Sequence, residues 1–153
     1  MEQASFRNSS SPEELDFFIA RSEFLDAFAK LELSIRFLQD LAGSKDRSEP
    51  LTEKIALLRD PKRCPGFSER RAERVRDLLA GMEDLIDKRN TIVHSIMKIN
   101  QDSSCGFDAT FINPKAHADG SYHGYRLELE DFQTLTSTVL RTSENLTNPQ
   151  LNS

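Results

Sequence analysis

The sequence predicts an all-α protein: an up-and-down helical bundle of about four helices with a small β-hairpin excursion before the last helix. Three observations carry this expectation. Apolar residues recur at steps of three and four through residues 17–42, 75–96 and 132–146. Residues suited to helix starts precede the first two of those stretches. A single segment, A-T-F-I-N-P-K-A followed by Y-H-G-Y-R-L-E-L, abandons that period and reads as two strands about a turn at Asp119-Gly120. With 153 residues the chain has the size of one ordinary domain. The expected organisation is a flexible tail over 1–10, a helical domain over 11–147 and a flexible tail over 148–153, where Pro149 stands.

The first helix starts at Ser11-Pro12-Glu13-Glu14, which offers an N-cap hydroxyl, a proline fitted to the first helical position and two acids at the positive end of the dipole. Phe17, Phe24, Phe28, Leu31, Ile35, Leu38 and Ala42 form its stripe, and Gly43 stands at the C-terminal cap. Such a helix is a rod of roughly 45 Å. A shorter helix is expected over 50–59, stopped by D-P-K-R-C-P-G, a connector in which two prolines and a glycine end any regular element. Ser68-Glu69 caps a long helix expected to run to about residue 97, on a stripe of Val75, Leu78, Met82, Leu85, Ile92 and Ile96. After the loop Q-D-S-S-C-G-F and the hairpin, the last helix covers 130–146 with Phe132, Leu135, Val139, Leu140 and Leu146.

Composition excludes several classes. No window approaches the roughly 18 apolar residues of a membrane span, and the start lacks the charged-then-apolar order of a signal peptide, so a cytoplasmic protein without membrane contact is expected. Cys64 and Cys105 belong to no paired metal-ligand spacing and read as reduced thiols. A net charge of -5 argues against a general nucleic-acid coat protein. Residues 59–90 nevertheless hold nine basic side chains against seven acidic ones, so any anion-binding surface belongs there. Nucleotide hydrolysis and acyl transfer lack support, because no phosphate-cradling glycine loop and no serine or cysteine nucleophile motif is present. No cofactor or metal is called for. His117 and His123 flank the expected hairpin turn and, with Asp119 in it, stand at a spacing that no metal site demands, so they read as polar surface. Phe17, Phe18, Phe24, Phe28 and Phe37 read as core or dimer contacts ahead of base-stacking platforms.

The stretch D-K-R-N-T-I-V-H-S over 87–95 holds the candidate site. Where the apolar stripe calls for another apolar side chain stands Arg89, central to that face. A guanidinium there must meet a carboxylate, snorkel to water or face a cleft that receives an anion, since burying it alone costs several kcal/mol. Glu32, flanking the stripe of the first helix, is the first carboxylate to consider. Asn90 and His94 are four residues apart and lie about 100–140° round the helix from Arg89. Together they supply a fork for phosphate, a hydrogen-bonding positioner and an imidazole that exchanges protons near neutral pH.

R-N-T-I-V-H resembles the R-x-x-x-x-H motif of HEPN domains (higher eukaryotes and prokaryotes nucleotide-binding), with a polar residue after the arginine and an aliphatic pair before the histidine. The long first helix with F-A-K-L-E at 28–32, the motif near the end of a later helix and a final helix extend the resemblance over about 14–146. The resemblance implies a helical bundle that dimerises with its two motif helices facing each other. It implies a metal-independent endoribonuclease, of the kind found as toxins or in antiviral defence, with RNA as substrate and a cognate antitoxin or regulator as further partner. Carried onto this chain, His94 is the general base or acid at the ribose 2′-hydroxyl, Arg89 holds the scissile phosphate, Asn90 orients ribose or phosphate, and Glu32 supports Arg89. The products would carry 2′,3′-cyclic phosphate and 5′-hydroxyl ends. In the branch paired with minimal nucleotidyltransferase antitoxins a tyrosine follows the histidine by two residues; here Ile96 stands there, a departure from that pairing. The alternative reading is a non-catalytic helical module for a nucleotide, RNA or protein, in which the same residues form a polar lock.

Overall fold

The structure, a computed structural model, describes residues 11–44, 50–101, 106–116 and 122–151. In chain order the elements are helices α1 (Pro12–Leu41), α2 (Leu51–Leu58), α3 (Glu69–Leu79) and α4 (Met82–Val93), strands β1 (Ile96–Gln101), β2 (Phe107–Ala116) and β3 (Tyr122–Glu128), and helix α5 (Leu129–Thr147). Short 3-10 turns occupy Pro61–Arg63 and Pro149–Leu151. The fold is therefore mostly helical, but not purely all-α: five helices and a three-stranded antiparallel sheet are present among the described residues.

The first helix starts as its sequence dictates. Ser11 Oγ accepts from the Glu14 backbone N–H at 3.3 Å, Pro12 opens the helix, and Gly43 takes φ 77° just past its end. The prolines and glycine of the connector then bring Gly66 against that end. The Gly66 N–H donates to the Ala42 carbonyl at 3.2 Å, and a Cβ at Gly66 would stand 2.2 Å from the Leu41 oxygen, so only glycine permits the approach.

Two departures from the expected long third helix matter for the site. Ala80 is extended (ψ 132°) and Gly81 left-handed (φ 79°), which splits that helix into α3 and α4. At its far end α4 stops at Val93, with His94 as its cap, and Ile96 opens a strand instead of extending the stripe. Ile96 is 66% exposed on the outward face of the sheet. The expected hairpin is the β2–β3 pair, antiparallel as predicted, with its turn at Asp119-Gly120 outside the described residues. Cys105 and His117 lie outside them too. β1 adds a third strand that the sequence pattern did not announce, pairing Ile96 with Ile112 through to Gln101 with Phe107.

The core joins α1, α5 and the sheet. Phe24 of α1 meets Phe132 of α5 edge to face at 5.8 Å, and Phe132 meets Phe111 of β2 at 5.4 Å. Ser34 and Ser143 are small enough to let α1 and α5 approach, and their hydroxyls share a hydrogen bond of 2.7 Å. The inner sheet face carries Met97, Ile99, Phe107, Ala109, Phe111, Tyr125 and Leu127 against this core. On the outward face Asp108 is buried under Arg126, its ion-pair partner, and accepts from Asn100 at 2.9 Å. Pro149–Leu151, placed in the expected tail, forms a turn capped by the Asn148 side chain, which accepts from the Gln150 N–H at 3.0 Å.

Candidate functional site

The end of α4 is set in place by α1. Arg21 reaches across to donate to the Ile92 carbonyl at 2.9 Å and to the Ser95 carbonyl at 3.4 Å. A cation is favoured where a helix ends, and this one holds the chain on both sides of His94. Eleven residues further along α1, Glu32 Oε1 stands 3.7 Å from Arg89 Nη2. The guanidinium is thus neither sealed in the core nor without a carboxylate, although its Nε is buried without a hydrogen-bond partner among the described residues. Its side chain is 32% exposed and that of Glu32 44%, so water screens the pair strongly. Arg89 Nη1 also donates to Asn90 Oδ1 at 3.1 Å.

Asn90 contacts Arg89 through its side chain and His94 only through the helix backbone. Its side chain takes the Arg89 hydrogen bond, while its backbone carbonyl accepts from the His94 N–H at 3.2 Å. Arg89 and His94 themselves do not meet. Arg89 lines a depression of about 340 Å³ with Glu32, Leu51, Lys54 and Ile86, whereas His94 lines a neighbouring one of about 560 Å³ with Asp84, Asp87, Lys88, Thr91, Asn113 and Tyr125. Asn90 forms part of both walls. The regular helix through Val93 preserves the angular offset between positions 89 and 94, so nothing within one protomer folds them into a single cleft.

The chemistry of the His94 depression is mixed. Lys88 lies 2.9 Å from Asp84, and that hydrogen bond is the main reason its ammonium titrates above the ordinary value. Tyr125 is likewise pushed up, chiefly by burial, against the pull of the neighbouring Lys88. Both therefore keep their protons throughout the neutral range, leaving a lysine cation and a phenol that can face an anionic ligand. No group of three or more histidine, cysteine or acidic side chains placed to hold a metal occurs among the described residues.

Sequence reasoning passed over Arg21, Lys88 and Tyr125. Arg21 binds carbonyls 71 and 74 residues away, so no local spacing marks it. Lys88 sits one position before Arg89, where a charge run reads as solvated surface. Tyr125 reaches the site only through the register of the sheet.

No helix of the described residues is long and apolar enough to cross a membrane. No family model, no curated protein and no solved structure matches the chain.

Proposed function

We propose that the protein is a metal-independent endoribonuclease of HEPN type that acts as a homodimer, in the manner of a toxin or defence enzyme. The observation that carries the reading is the pair of side chains at the end of α4: an accessible guanidinium that donates to Asn90, and an exposed helix-end imidazole in the neighbouring depression, whose wall Asn90 shares. His94 removes the proton from a ribose 2′-hydroxyl, and the 2′-oxygen attacks the adjacent phosphorus. The bond from phosphorus to the 5′-oxygen breaks, and that oxygen takes up a proton to become a 5′-hydroxyl end opposite a 2′,3′-cyclic phosphate. Arg89 neutralises charge on the phosphoryl oxygens as it builds. Asn90 and Glu32 fix the direction of the guanidinium. Because Arg89 and His94 occupy separate depressions of one protomer, the reacting pair is drawn from two chains.

The separation of the two depressions favours the second reading, a non-catalytic module that binds an anion at either one. Incubating the purified protein with mixed cellular RNA in EDTA and mapping the new ends decides between them. Cuts bearing cyclic phosphate that disappear in His94→Ala support the nuclease; RNA left intact at stoichiometric enzyme, or cutting unchanged in His94→Ala, removes it.

A further inference from the structure

Helix α1 is apolar on two opposite faces. Phe24, Leu31 and Ile35 are fully buried on one of them. On the other, Leu15, Phe18, Ile19, Leu33 and Phe37 are between 44% and 65% exposed. At 100° per residue these five fall within about 50° of one direction, and that direction is almost diametrically opposed to the buried face. Nothing in the described fold covers it. Half-exposed side chains of this size leave on the order of 500 Å² of apolar surface on one helix. Summed over the two ends of the helix, that matches the largest apolar patch of a typical monomer, and exposed apolar surface of this extent marks contact sites.

We infer that this outward face of α1 is the interface between two copies of the chain, packed antiparallel about a two-fold axis near residues 26 and 27. The inference names the contact face of the homodimer in the reading above, and rests on that reading for the role of the resulting cleft. A second copy fits for two reasons. The exposed apolar residues form two clusters, Leu15, Phe18 and Ile19 at one end of the face and Leu33 and Phe37 at the other, with exposed Ser22, Asp26 and Ala29 between them. Antiparallel packing sets each cluster against the partner's other one, bridging the polar centre. The flanking charges also favour one orientation. Glu23 and Lys30 lie on the same flank, about 80° and 60° round from Leu15. Antiparallel packing sets Glu23 against the partner's Lys30 and, by symmetry, Lys30 against the partner's Glu23, whereas parallel packing would set both against the opposite flank, whose Arg21 and Glu32 already bind the end of α4.

That register has a consequence on the opposite flank, where Arg21 and Glu32 project toward α4. Residues 21 and 32 are as symmetric about the axis as residues 23 and 30. Each Glu32, holding its own Arg89, thus comes level with the partner's Arg21, which holds the turn around the partner's His94. The two residues that one protomer keeps apart are brought to the same height along a shared groove.

Size-exclusion chromatography with light scattering, over a dilution series, tests the interface. The wild-type chain should run at twice its 17.4 kDa. Leu33→Glu and Leu15→Glu, at opposite ends of the stripe, should each raise the dissociation constant by about a hundredfold or more, because a two-fold interface loses the contact twice. Ile96→Glu, on the outward sheet face, should leave the dimer intact. Lys30→Glu should loosen the dimer, and adding Glu23→Lys to it should restore affinity. Circular dichroism matching the wild type establishes that each variant is folded. A monomer at every concentration, or a dimer indifferent to both glutamates on α1, overturns the interface; failure of the charge swap to rescue overturns the antiparallel register. A dimer that resists the α1 variants would leave the nuclease reading standing with its interface elsewhere. A dimer that obeys them while RNA stays uncut would leave the interface and remove the nuclease.

Discussion

Arg89 and Glu32 meet at 3.7 Å in a partly exposed position that water reaches, so the pair orients a guanidinium more than it stabilises a fold. Exposed ion pairs contribute about 0–1 kcal/mol, whereas removing one partner of a buried pair costs about 3–5 kcal/mol. Arg89→Leu should therefore change the unfolding free energy by less than about 1 kcal/mol in urea while abolishing RNA cleavage. A loss of about 3 kcal/mol or more would identify Arg89 as a structural lock instead.

Because Arg89 and His94 line different depressions of one chain, the nuclease reading needs them to act from separate chains, and that can be counted. Arg89→Ala and His94→Ala homodimers should each be inactive. Mixing and re-equilibrating the two should regenerate activity: half the dimers become heterodimers, each with one site made of an intact Arg89 and an intact His94, giving about a quarter of the wild-type rate. A mixture as inactive as its components would mean that the two residues act within one protomer or not at all.

The parts of this molecule legible in its sequence are those decided within a few residues. The start of α1 at Ser11-Pro12, its end before Gly43 and the stripe of α5 are local events, and the structure repeats them. The split between α3 and α4 was hidden because Val75, Leu78, Met82 and Leu85 keep helical spacing straight through it. Ile96 misled for the same reason, falling where a longer helix would place an apolar residue although its pairing with Ile112 puts it in a strand. At the site, Glu32 could be named from its flank on α1, since both stripes face one core. Arg21 could not, because its reason for being there is the backbone of Ile92 and Ser95.

Gly81 is a point where the backbone, not the packing, demands the residue. A Cβ there would meet nothing within 4 Å, yet φ is 79°. Gly81→Ala should thus cost about 1 kcal/mol or more, entirely through the left-handed conformation. A measured stabilisation would imply that α3 and α4 can fuse into the single helix their spacing suggests, displacing the α4 end.

Alkaline pH probes a different set of contacts. Burial raises the Cys64 thiol above its ordinary 9.0, with Asp60 adding to the effect and Arg63 opposing it. Tyr125 is raised above 10.0 mainly by burial, and Lys88 above 10.5 mainly by its hydrogen bond to Asp84. All three groups hold their protons to higher pH in the folded chain than in the unfolded one. Their contribution to stability is therefore complete below those ordinary values and is lost as pH rises through the folded ones. The melting temperature should stay level from about pH 7 to 8.5 and decline above about pH 9. Cys64 has the lowest ordinary value of the three, so its contribution is the first to decline, and its thiol donates to the Leu57 carbonyl at 3.4 Å inside the core. Cys64→Ala should melt lower at pH 7, because it loses that contact and leaves a small void, but the onset of its alkaline decline should move up toward pH 10. An onset unmoved by the substitution would place the alkaline sensitivity in the Lys88–Tyr125 side of the α4 site, where Tyr125→Phe is the next variant to measure.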